Sequence, residues 1–305
     1  MILDPDLVRE EAEATASSLA EAQGKAFERF RSFLVDEPNM ETLPARFLPS
    51  RAHEFVTRDA LHDVAVAGKL VYAQIRWLDD VADGTTPVGE GWSSLHHLNT
   101  ALTDLIRTTF TKALGPSKAG AFLAVLAVLY ARYAASLAAD NDFRRTGHGS
   151  VSYENYVDHA QARAAPVLAP VEAVLLLAEA SEDETHKARR CLESCAAGLQ
   201  LYDDALDIEE DFESGRMSWV VGETLWAIRE RHDDRTPDAD TFYRTALISG
   251  CLSRNLNAAE TLFEEAISLA EPEFPLFTEY VRAELHNARG FREDLEELTA
   301  SARQT

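Results

Sequence analysis

Cysteine, proline and glycine are all scarce in this chain of 305 residues, which contains 3 Cys, 11 Pro and 14 Gly. The odd cysteine count, with Cys191 and Cys195 one helical turn apart, argues against a disulfide framework. A reducing, cytoplasmic location is therefore expected. Residues 1–12 contain neither a basic region nor an apolar run, so no signal peptide is predicted.

Positive charge is also in short supply. The 29 Lys and Arg residues face 52 Asp and Glu residues, which gives a formal net charge of −23. Without a basic stripe to follow a phosphate backbone, the chain is not expected to bind nucleic acid. No uncharged apolar stretch reaches roughly 18 residues, so no transmembrane segment is predicted.

Alternating strand patterns are absent, and helical periodicity fills almost the whole chain. The breaks between apolar segments are short, which predicts one all-α domain over residues 1–305. The predicted helices span residues 6–34, 51–83, 93–114, 117–139, 153–177, 184–212, 218–229, 238–269 and 274–300. Several of them are long enough to surround a deep cavity in a helical bundle.

Two clusters of aspartate interrupt this apolar helical pattern. The first aspartate segment is residues 79–83, with the sequence Asp-Asp-Val-Ala-Asp. The second aspartate segment is residues 203–211, where Asp203, Asp207 and Asp211 recur every four residues. Because residues four apart share one helix face, each segment is predicted to form an acidic stripe.

Carboxylates beside apolar faces are costly unless a cation neutralises them. Hard oxygen ligands without a neighbouring Cys or His cluster favour Mg²⁺ or Mn²⁺ over zinc. Magnesium held by a few carboxylates usually completes its coordination with water and substrate phosphates. The two segments therefore predict a metal-bridged diphosphate site, with metal ligands Asp79, Asp80, Asp83, Asp203, Asp207 and Asp211. Of these, Asp79, Asp80, Asp83, Asp207 and Asp211 are also the predicted catalytic residues.

The sequence around each segment resembles the squalene and phytoene synthases. The first segment follows Tyr72 and Arg76 in the register of that family, and the second ends in Glu210-Asp211 with Gly215-Arg216 beyond. The resemblance implies the class I isoprenoid synthase fold, a bundle of long antiparallel helices with both stripes facing a central active-site cavity. It also implies Mg²⁺-dependent ionisation of farnesyl or geranylgeranyl diphosphate, and a homodimer is among the expectations.

Other members of the same superfamily share parts of this pattern. The run from Gln200 to Asp207 resembles the second motif of chain-elongating polyprenyl diphosphate synthases, although no Arg-Arg-Gly follows the first segment. Asp203-Asp204 with Asp207 and Asp211 also resembles the metal motif of single-substrate terpene cyclases, which make sesquiterpenes or diterpenes. A non-catalytic helical scaffold is the remote alternative. Whether NADPH takes part is left open.

Basic and hydroxyl side chains near the two segments are candidates to bind the leaving diphosphate, since arginine can bind its oxygens in a bidentate manner. The predicted diphosphate-binding residues are Arg76, Arg163, Arg216, Tyr72 and Lys69.

Overall fold

The computed structural model describes residues 3–17, 19–35, 40–49, 52, 56–82, 92–146, 152–230 and 237–302. Within these ranges all regular secondary structure is helical, which confirms the all-α prediction. The helices are α1 (Pro5–Ser17), α2 (Ala20–Val35), α3 (Leu43–Arg46), α4 (Arg58–Ala82), α5 (Trp92–Thr146), α6 (Tyr153–Arg163), α7 (Leu168–Leu177), α8 (Glu182–Leu206), α9 (Ile208–Ser214), α10 (Trp219–Arg229), α11 (Ala239–Ile248), α12 (Cys251–Ala270) and α13 (Pro275–Ala302).

Besides the predicted helix 6–34, which is divided between α1 and α2, three of the predicted helices are divided in the structure. Pro166 has no backbone N–H, and a short 3-10 turn at Ala165–Val167 separates α6 from α7. Gly250 adopts φ of 76°, which ends α11 before α12 begins. The third division is at Asp207, between α8 and α9. The predicted break at Gly115 is confirmed as a non-helical residue inside α5.

The described residues fall into two compact groups. The first comprises Met1–Tyr133, Ala165–Ala188 and Pro272–Phe277. Its α4 is buried along most of its length and approaches α7 at Gly68, where a Cβ atom would lie 2.8 Å from the Cβ of Pro170. Only glycine permits that approach, so this contact fixes the helix that carries the first aspartate segment.

The second group comprises Ala134–Ala164, Arg189–Glu271 and Thr278–Thr305. Here α8 meets α12 at Gly198, where a Cβ atom would lie 2.9 Å from Cε1 of Phe263. The short α9 is anchored by Phe212, whose ring stacks on Phe242 of α11 with centroids 3.9 Å apart. The second aspartate segment is therefore carried by two elements, each packed on its own neighbour. Whether the chain is one domain stays a prediction.

Helix α5 has an apolar part that is long enough to cross a membrane. Between Leu95 and Ala139, an 18-residue window reaches a mean hydropathy of 1.7, and 28% of that window is buried. Val128 is an exposed large apolar residue of this helix. Core helices also meet this criterion of length and composition, so the expected absence of a transmembrane segment stays a prediction.

Candidate functional site

The first aspartate segment lies at the C-terminal end of α4, which has no basic residue in its last turn. Asp79 and Asp80 are both half-buried there. The C-terminus of a helix carries a partial negative charge, so carboxylates at this end are electrostatically disfavoured. Asp83 lies outside the described residues, and its predicted role stays a prediction.

Two side chains from other helices contact these carboxylates. The hydroxyl of Tyr133, from α5, donates to Oδ1 of Asp79 at 2.7 Å. The guanidinium of Arg29, from α2, approaches Oδ2 of Asp80 with Nε at 2.6 Å and a terminal nitrogen at 2.5 Å. The Arg29 side chain also lies over the ring of Phe33, 4.6 Å from its centroid. Neither Tyr133 nor Arg29 is in the predicted site, because nothing in the sequence relates them to positions about fifty residues away.

Arg76 and Tyr72 lie on α4 before the aspartates, as expected from their spacing. Arg76 is exposed, and its guanidinium lies 5.9 Å from the centroid of Phe33. Tyr72 is half-buried, with the ammonium of Lys69 at 6.0 Å from its ring centroid. The roles of Arg76 and Tyr72 in binding diphosphate stay predictions.

The structure argues against Lys69 as a diphosphate ligand. Its ammonium lies 3.0 Å from Oε1 of Glu41, and the exposed fractions of the two side chains are 0% and 1%. Lys69 precedes Asp79 by ten residues, which is about 15 Å along a helix axis. Removing one member of a buried ion pair leaves an uncompensated charge, so Lys69 is held at Glu41 and away from the first segment.

A buried polar network lies next to the first segment on α4. The amide nitrogen of Gln74 donates to Oδ1 of Asn99 at 2.8 Å and to the hydroxyl of Thr103 at 3.0 Å. Its amide oxygen accepts from the hydroxyl of Tyr130 at 2.6 Å. Burial raises the pKa of Tyr130, so its phenol stays protonated and remains a donor. This network fixes α4 against α5 within the first group.

The second segment changes direction at Asp207, which the continuous stripe of the sequence analysis did not predict. Asp207 has φ of −94° and ψ of 10°, and it precedes the first residue of α9. The amide of Asp207 still bonds the carbonyl of Asp203 at 2.8 Å, and the amide of Asp211 bonds that of Asp207 at 2.8 Å. The four-residue repeat therefore persists through the break, but exposure decreases along it: Asp203 is exposed, Asp207 half-buried and Asp211 buried.

Asp204 is a buried residue of this segment that appears in the cyclase-like motif but is not among the predicted ligands. Its Oδ2 accepts a short hydrogen bond from the hydroxyl of Tyr156, and its Oδ1 accepts from the amide of Gln200 at 2.8 Å. Burial raises the pKa of Asp204 from its usual 3.8 to about 7, against the opposing effect of these two hydrogen bonds. The Gln200 spacing of four residues is the one sequence signal that pointed to this contact.

Asp211 and Arg216 form a local pair across the end of α9. A terminal nitrogen of Arg216 lies 3.4 Å from Oδ1 of Asp211 and 4.0 Å from Oε1 of Glu210. That Asp211 oxygen is buried and accepts no hydrogen bond. Burial raises the pKa of Asp211, and the neighbouring Arg216 opposes the shift. Gly215, with φ of 70°, makes the turn that brings Arg216 back beside Asp211.

Arg163 is the last residue of α6 and is half-buried. A cation at the C-terminal end of a helix is favoured by the helix dipole. Its role in binding diphosphate stays a prediction.

Among the residues that the structure describes, no three His, Cys, Asp or Glu side chains are grouped closely enough to hold a metal ion. The chemistry of the carboxylates still fits magnesium, because Asp79, Asp80 and Asp207 are half-buried and supply only hard oxygen ligands. Magnesium commonly takes only one or two carboxylates and completes its shell with water and substrate phosphates. A ready-made group of three is therefore not required.

Comparisons by sequence give no relative: no model of a known protein family matches the chain, and neither does any curated protein. Solved structures do match. A geranylgeranyl pyrophosphate synthase from Corynebacterium glutamicum, complexed with isoprenyl diphosphate and magnesium, aligns with a TM-score of 0.73 at 14% identity, covering 94% of this chain and 98% of that one.

Two further polyprenyl synthases are similar to a comparable degree. The geranylgeranyl pyrophosphate synthetase from Geoglobus acetivorans has a TM-score of 0.71 at 15% identity, covering 93% of this chain and 97% of that one. The heptaprenyl diphosphate synthase from Staphylococcus aureus has a TM-score of 0.70 at 13% identity, covering 93% and 98%. The chain thus has the all-α isoprenoid synthase fold, as its two aspartate segments predicted. These likenesses do not specifically support the squalene and phytoene branch.

Proposed function

We propose that this protein is a Mg²⁺-dependent enzyme that ionises a prenyl diphosphate through its two aspartate segments. One observation carries the proposal. Both α4 and α8 have a pair of aspartates and no basic residue in the last turn. Negative charge at the C-terminus of a helix is unfavourable, because that end already carries a partial negative charge. An unfavourable arrangement repeated at two helix ends is a mark of function rather than of stability.

The residues have separable roles in this proposal. Asp79 and Asp80 would hold cation at the first segment, and Asp203, Asp207 and Asp211 at the second. A bound magnesium ion stabilises negative charge as it develops on the leaving diphosphate. Manganese, which prefers similar oxygen ligands, is expected to substitute for it.

Arginines next to the segments would contact the diphosphate directly. Arg216 already lies beside Asp211, and Arg76 is exposed on the helix that ends at Asp80. A planar guanidinium can donate two parallel hydrogen bonds to a phosphate group. Arg216 would therefore bind diphosphate oxygens at the second segment, and Arg76 would do so at the first.

Among the branches of the superfamily, chain elongation has the better support. The structures reported above are all polyprenyl diphosphate synthases, and the run from Gln200 to Asp207 resembles their second motif. In such a reaction the C–O bond to the allylic diphosphate breaks, the alkene of a five-carbon homoallylic diphosphate adds to the cation, and a proton is lost. The product is a longer prenyl diphosphate.

A second candidate is a single-substrate terpene cyclase. Residues 84–91, which follow the first segment, contain no Lys or Arg. A second anionic substrate needs additional positive charge, so a segment without it favours a reaction with one diphosphate. This feature distinguishes the chain from the Arg-Arg-Gly pattern expected of a chain-elongating enzyme.

Incubation of the purified chain with Mg²⁺ and either farnesyl or geranylgeranyl diphosphate, with and without isopentenyl diphosphate and without a reductant, tests the proposal. Chain elongation predicts a longer prenyl diphosphate only when both substrates are present. A cyclic hydrocarbon or alcohol from farnesyl diphosphate alone identifies a cyclase, and a C30 product identifies the squalene type. If neither farnesyl nor geranylgeranyl diphosphate is consumed in either mixture, the chain is not this kind of enzyme.

A further inference from the structure

Each aspartate segment is contacted by the hydroxyl of a tyrosine from a neighbouring helix. We propose that Tyr133 and Tyr156 are positioning residues that fix the carboxylates of the two segments for the cation. This inference rests on the proposed function, because it concerns how the same site is held in a binding geometry. It assigns a role to two residues that do not themselves contact the metal or the diphosphate.

Tyr133 contacts the first segment at two levels of α4. Its hydroxyl lies 2.7 Å from Oδ1 of Asp79 and 3.1 Å from the carbonyl oxygen of Ile75, one turn earlier. The residue is 2% exposed, so water does not compete for the phenol. A rigid buried ring that reaches both the side chain and the backbone of one turn restricts the rotamer of Asp79.

The donated hydrogen bond is compatible with a role for Asp79 as a ligand. An ionised carboxylate has about four lone-pair positions, and one hydroxyl occupies only one of them. Partners that hydrogen-bond a ligating carboxylate fix its orientation, and their removal typically weakens metal binding about 10- to 100-fold. Tyr133 has the position and the chemistry of such a partner.

Tyr156 acts on the second segment through Asp204. Its hydroxyl donates to Oδ2 of Asp204, while Gln200 donates to Oδ1, so both oxygens of this carboxylate are already hydrogen-bonded. Asp204 is also 4% exposed, and in this proposal it is not itself a metal ligand. Its two hydrogen bonds hold the last turn of α8 in place. This turn carries Asp203 and leads to Asp207.

The surroundings of Tyr156 keep it in place. Its ring packs beside Trp219 of α10, with centroids 5.8 Å apart, and the residue is 7% exposed. Burial raises its pKa well above the usual value, and the charge of Asp204 adds to this shift. The phenol thus stays protonated and continues to donate across the working pH range.

The chain offers a matched control on the same helix as Tyr133. Tyr130 lies one turn earlier on α5 and donates its hydroxyl to Gln74 rather than to an aspartate. Changing either tyrosine to phenylalanine removes one oxygen and leaves the ring. A loss that is common to both variants reports on the packing of α4 against α5, and a loss confined to Tyr133→Phe reports on Asp79.

The test measures binding of inorganic diphosphate by titration calorimetry over a series of Mg²⁺ concentrations, using the full chain. Tyr133→Phe should raise the Mg²⁺ concentration for half-maximal binding about 10- to 100-fold. Tyr156→Phe should raise it by about 10-fold or less, because it acts through Asp204. Tyr130→Phe should stay within about twofold of the unmutated protein. Thermal unfolding in chelator reports any loss of folding for each variant.

A double-mutant cycle decides whether Tyr133 acts through Asp79. The variant Asp79→Asn/Tyr133→Phe should bind no more weakly than Asp79→Asn alone, since coupled residues do not contribute additively. If Tyr156→Phe does not fold, Asp204→Leu replaces it, because leucine has a similar shape and cannot accept the hydrogen bond from Tyr156.

The outcomes separate this inference from the proposed function. Equal shifts in Tyr133→Phe and Tyr130→Phe, or additive effects in the cycle, would overturn the positioning role while leaving Mg²⁺-dependent binding intact. If the unmutated protein does not bind diphosphate with Mg²⁺, both the inference and the proposed function are wrong.

Discussion

The two aspartate segments have similar sequences but are supported in different ways. The carboxylates of the first segment are compensated by residues far along the chain, since Arg29 and Tyr133 are 51 and 54 residues from Asp80 and Asp79. The second segment finds Gln200 and Arg216 within a few residues, and Tyr156 comes from another helix. The first is a single helix end, and the second is a break between two helices.

This difference shows how one kind of chemistry can be built in two ways. At the first segment the acidic helix end depends on the packing of α2 and α5 against α4, so distant substitutions can alter it. At the second segment the turn at Gly215 keeps Arg216 beside Asp211, and the ring of Phe212 stacks on Phe242 of α11. Substitutions in the two segments should therefore differ in how far their effects extend.

The largest expected effect is the loss of a ligand from either segment. Asp80→Asn and Asp207→Asn should each reduce turnover of the prenyl diphosphate by about 100-fold or more, because an amide cannot balance the cation that stabilises the leaving group. Steady-state kinetics at saturating Mg²⁺ measures this. Asp59→Asn and Glu182→Gln, at exposed positions in the first turns of α4 and α8, are the control substitutions.

The two segments would not share one function if either Asp80→Asn or Asp207→Asn left the activity unchanged. Full activity of Asp207→Asn alongside an inactive Asp80→Asn would mean that only the first segment binds the cation. The second segment would then be a structural turn.

A smaller effect is expected at Arg216, the local cation of the second segment. Arg216→Ala should weaken substrate binding and slow ionisation together, by about tenfold for a lost charged hydrogen bond. Arg216→Lys should recover only part of the loss, because a point charge does not replace a bidentate fork. Values of kcat and KM for the two variants measure this. Full recovery by lysine would exclude bidentate binding.

The raised pKa of Asp204 predicts a pH dependence of stability in the absence of metal. The folded-state pKa of about 7 lies above the usual 3.8, so the folded protein holds the proton more tightly than the unfolded chain. The resulting stabilisation is complete below pH 3.8 and is lost as the pH rises through about 7.

Asp204→Asn cannot titrate, so it should lack this decline. Chemical denaturation in chelator at pH 5 and pH 8 checks the difference between the variant and the unmutated protein. If the difference in unfolding free energy between Asp204→Asn and the unmutated protein is the same at pH 5 and pH 8, the raised pKa of Asp204 is contradicted.

The smallest expected effect concerns Arg29, the distant cation of the first segment. The side chain is 49% exposed, so its pair with Asp80 should contribute at most about 1 kcal/mol to stability. In Arg29→Gln, added Mg²⁺ should raise the unfolding temperature more than in the unmutated protein, because a bound cation can then compensate Asp80. An equal response in both proteins would mean that Arg29 and the metal do not share Asp80.

Much of the fold could be predicted from periodicity, and the misses have identifiable causes. The breaks at Pro166 and Gly250 were signalled by the residues themselves but were outweighed by the continuous apolar pattern on either side. The break at Asp207 has no such signal, because helical hydrogen bonding continues through it from Asp203 to Asp211. Tertiary packing of Phe212, not local propensity, determines where α9 lies.

The site shows the same division between local and distant information. Residues one turn from an aspartate, such as Arg76 and Gln200, could be related to it by spacing. Arg29, Tyr133 and Tyr156 could not, because only the fold brings them to the aspartates. Lys69 shows the opposite error, since a basic residue on the correct helix proved to be a buried partner of Glu41.

The central claim is that the acidic ends of α4 and α8 bind diphosphate through a divalent cation. The most direct measurement is the unfolding temperature of the full chain with inorganic diphosphate, with Mg²⁺, with both, and with both plus chelator. A ligand near 100 times its Kd stabilises by about 2.7 kcal/mol, so both together should raise the temperature by a few degrees. Neither alone should do so, and Asp80→Asn and Asp207→Asn should each abolish the rise. A rise with diphosphate that persists in chelator, or in both variants, would contradict the account.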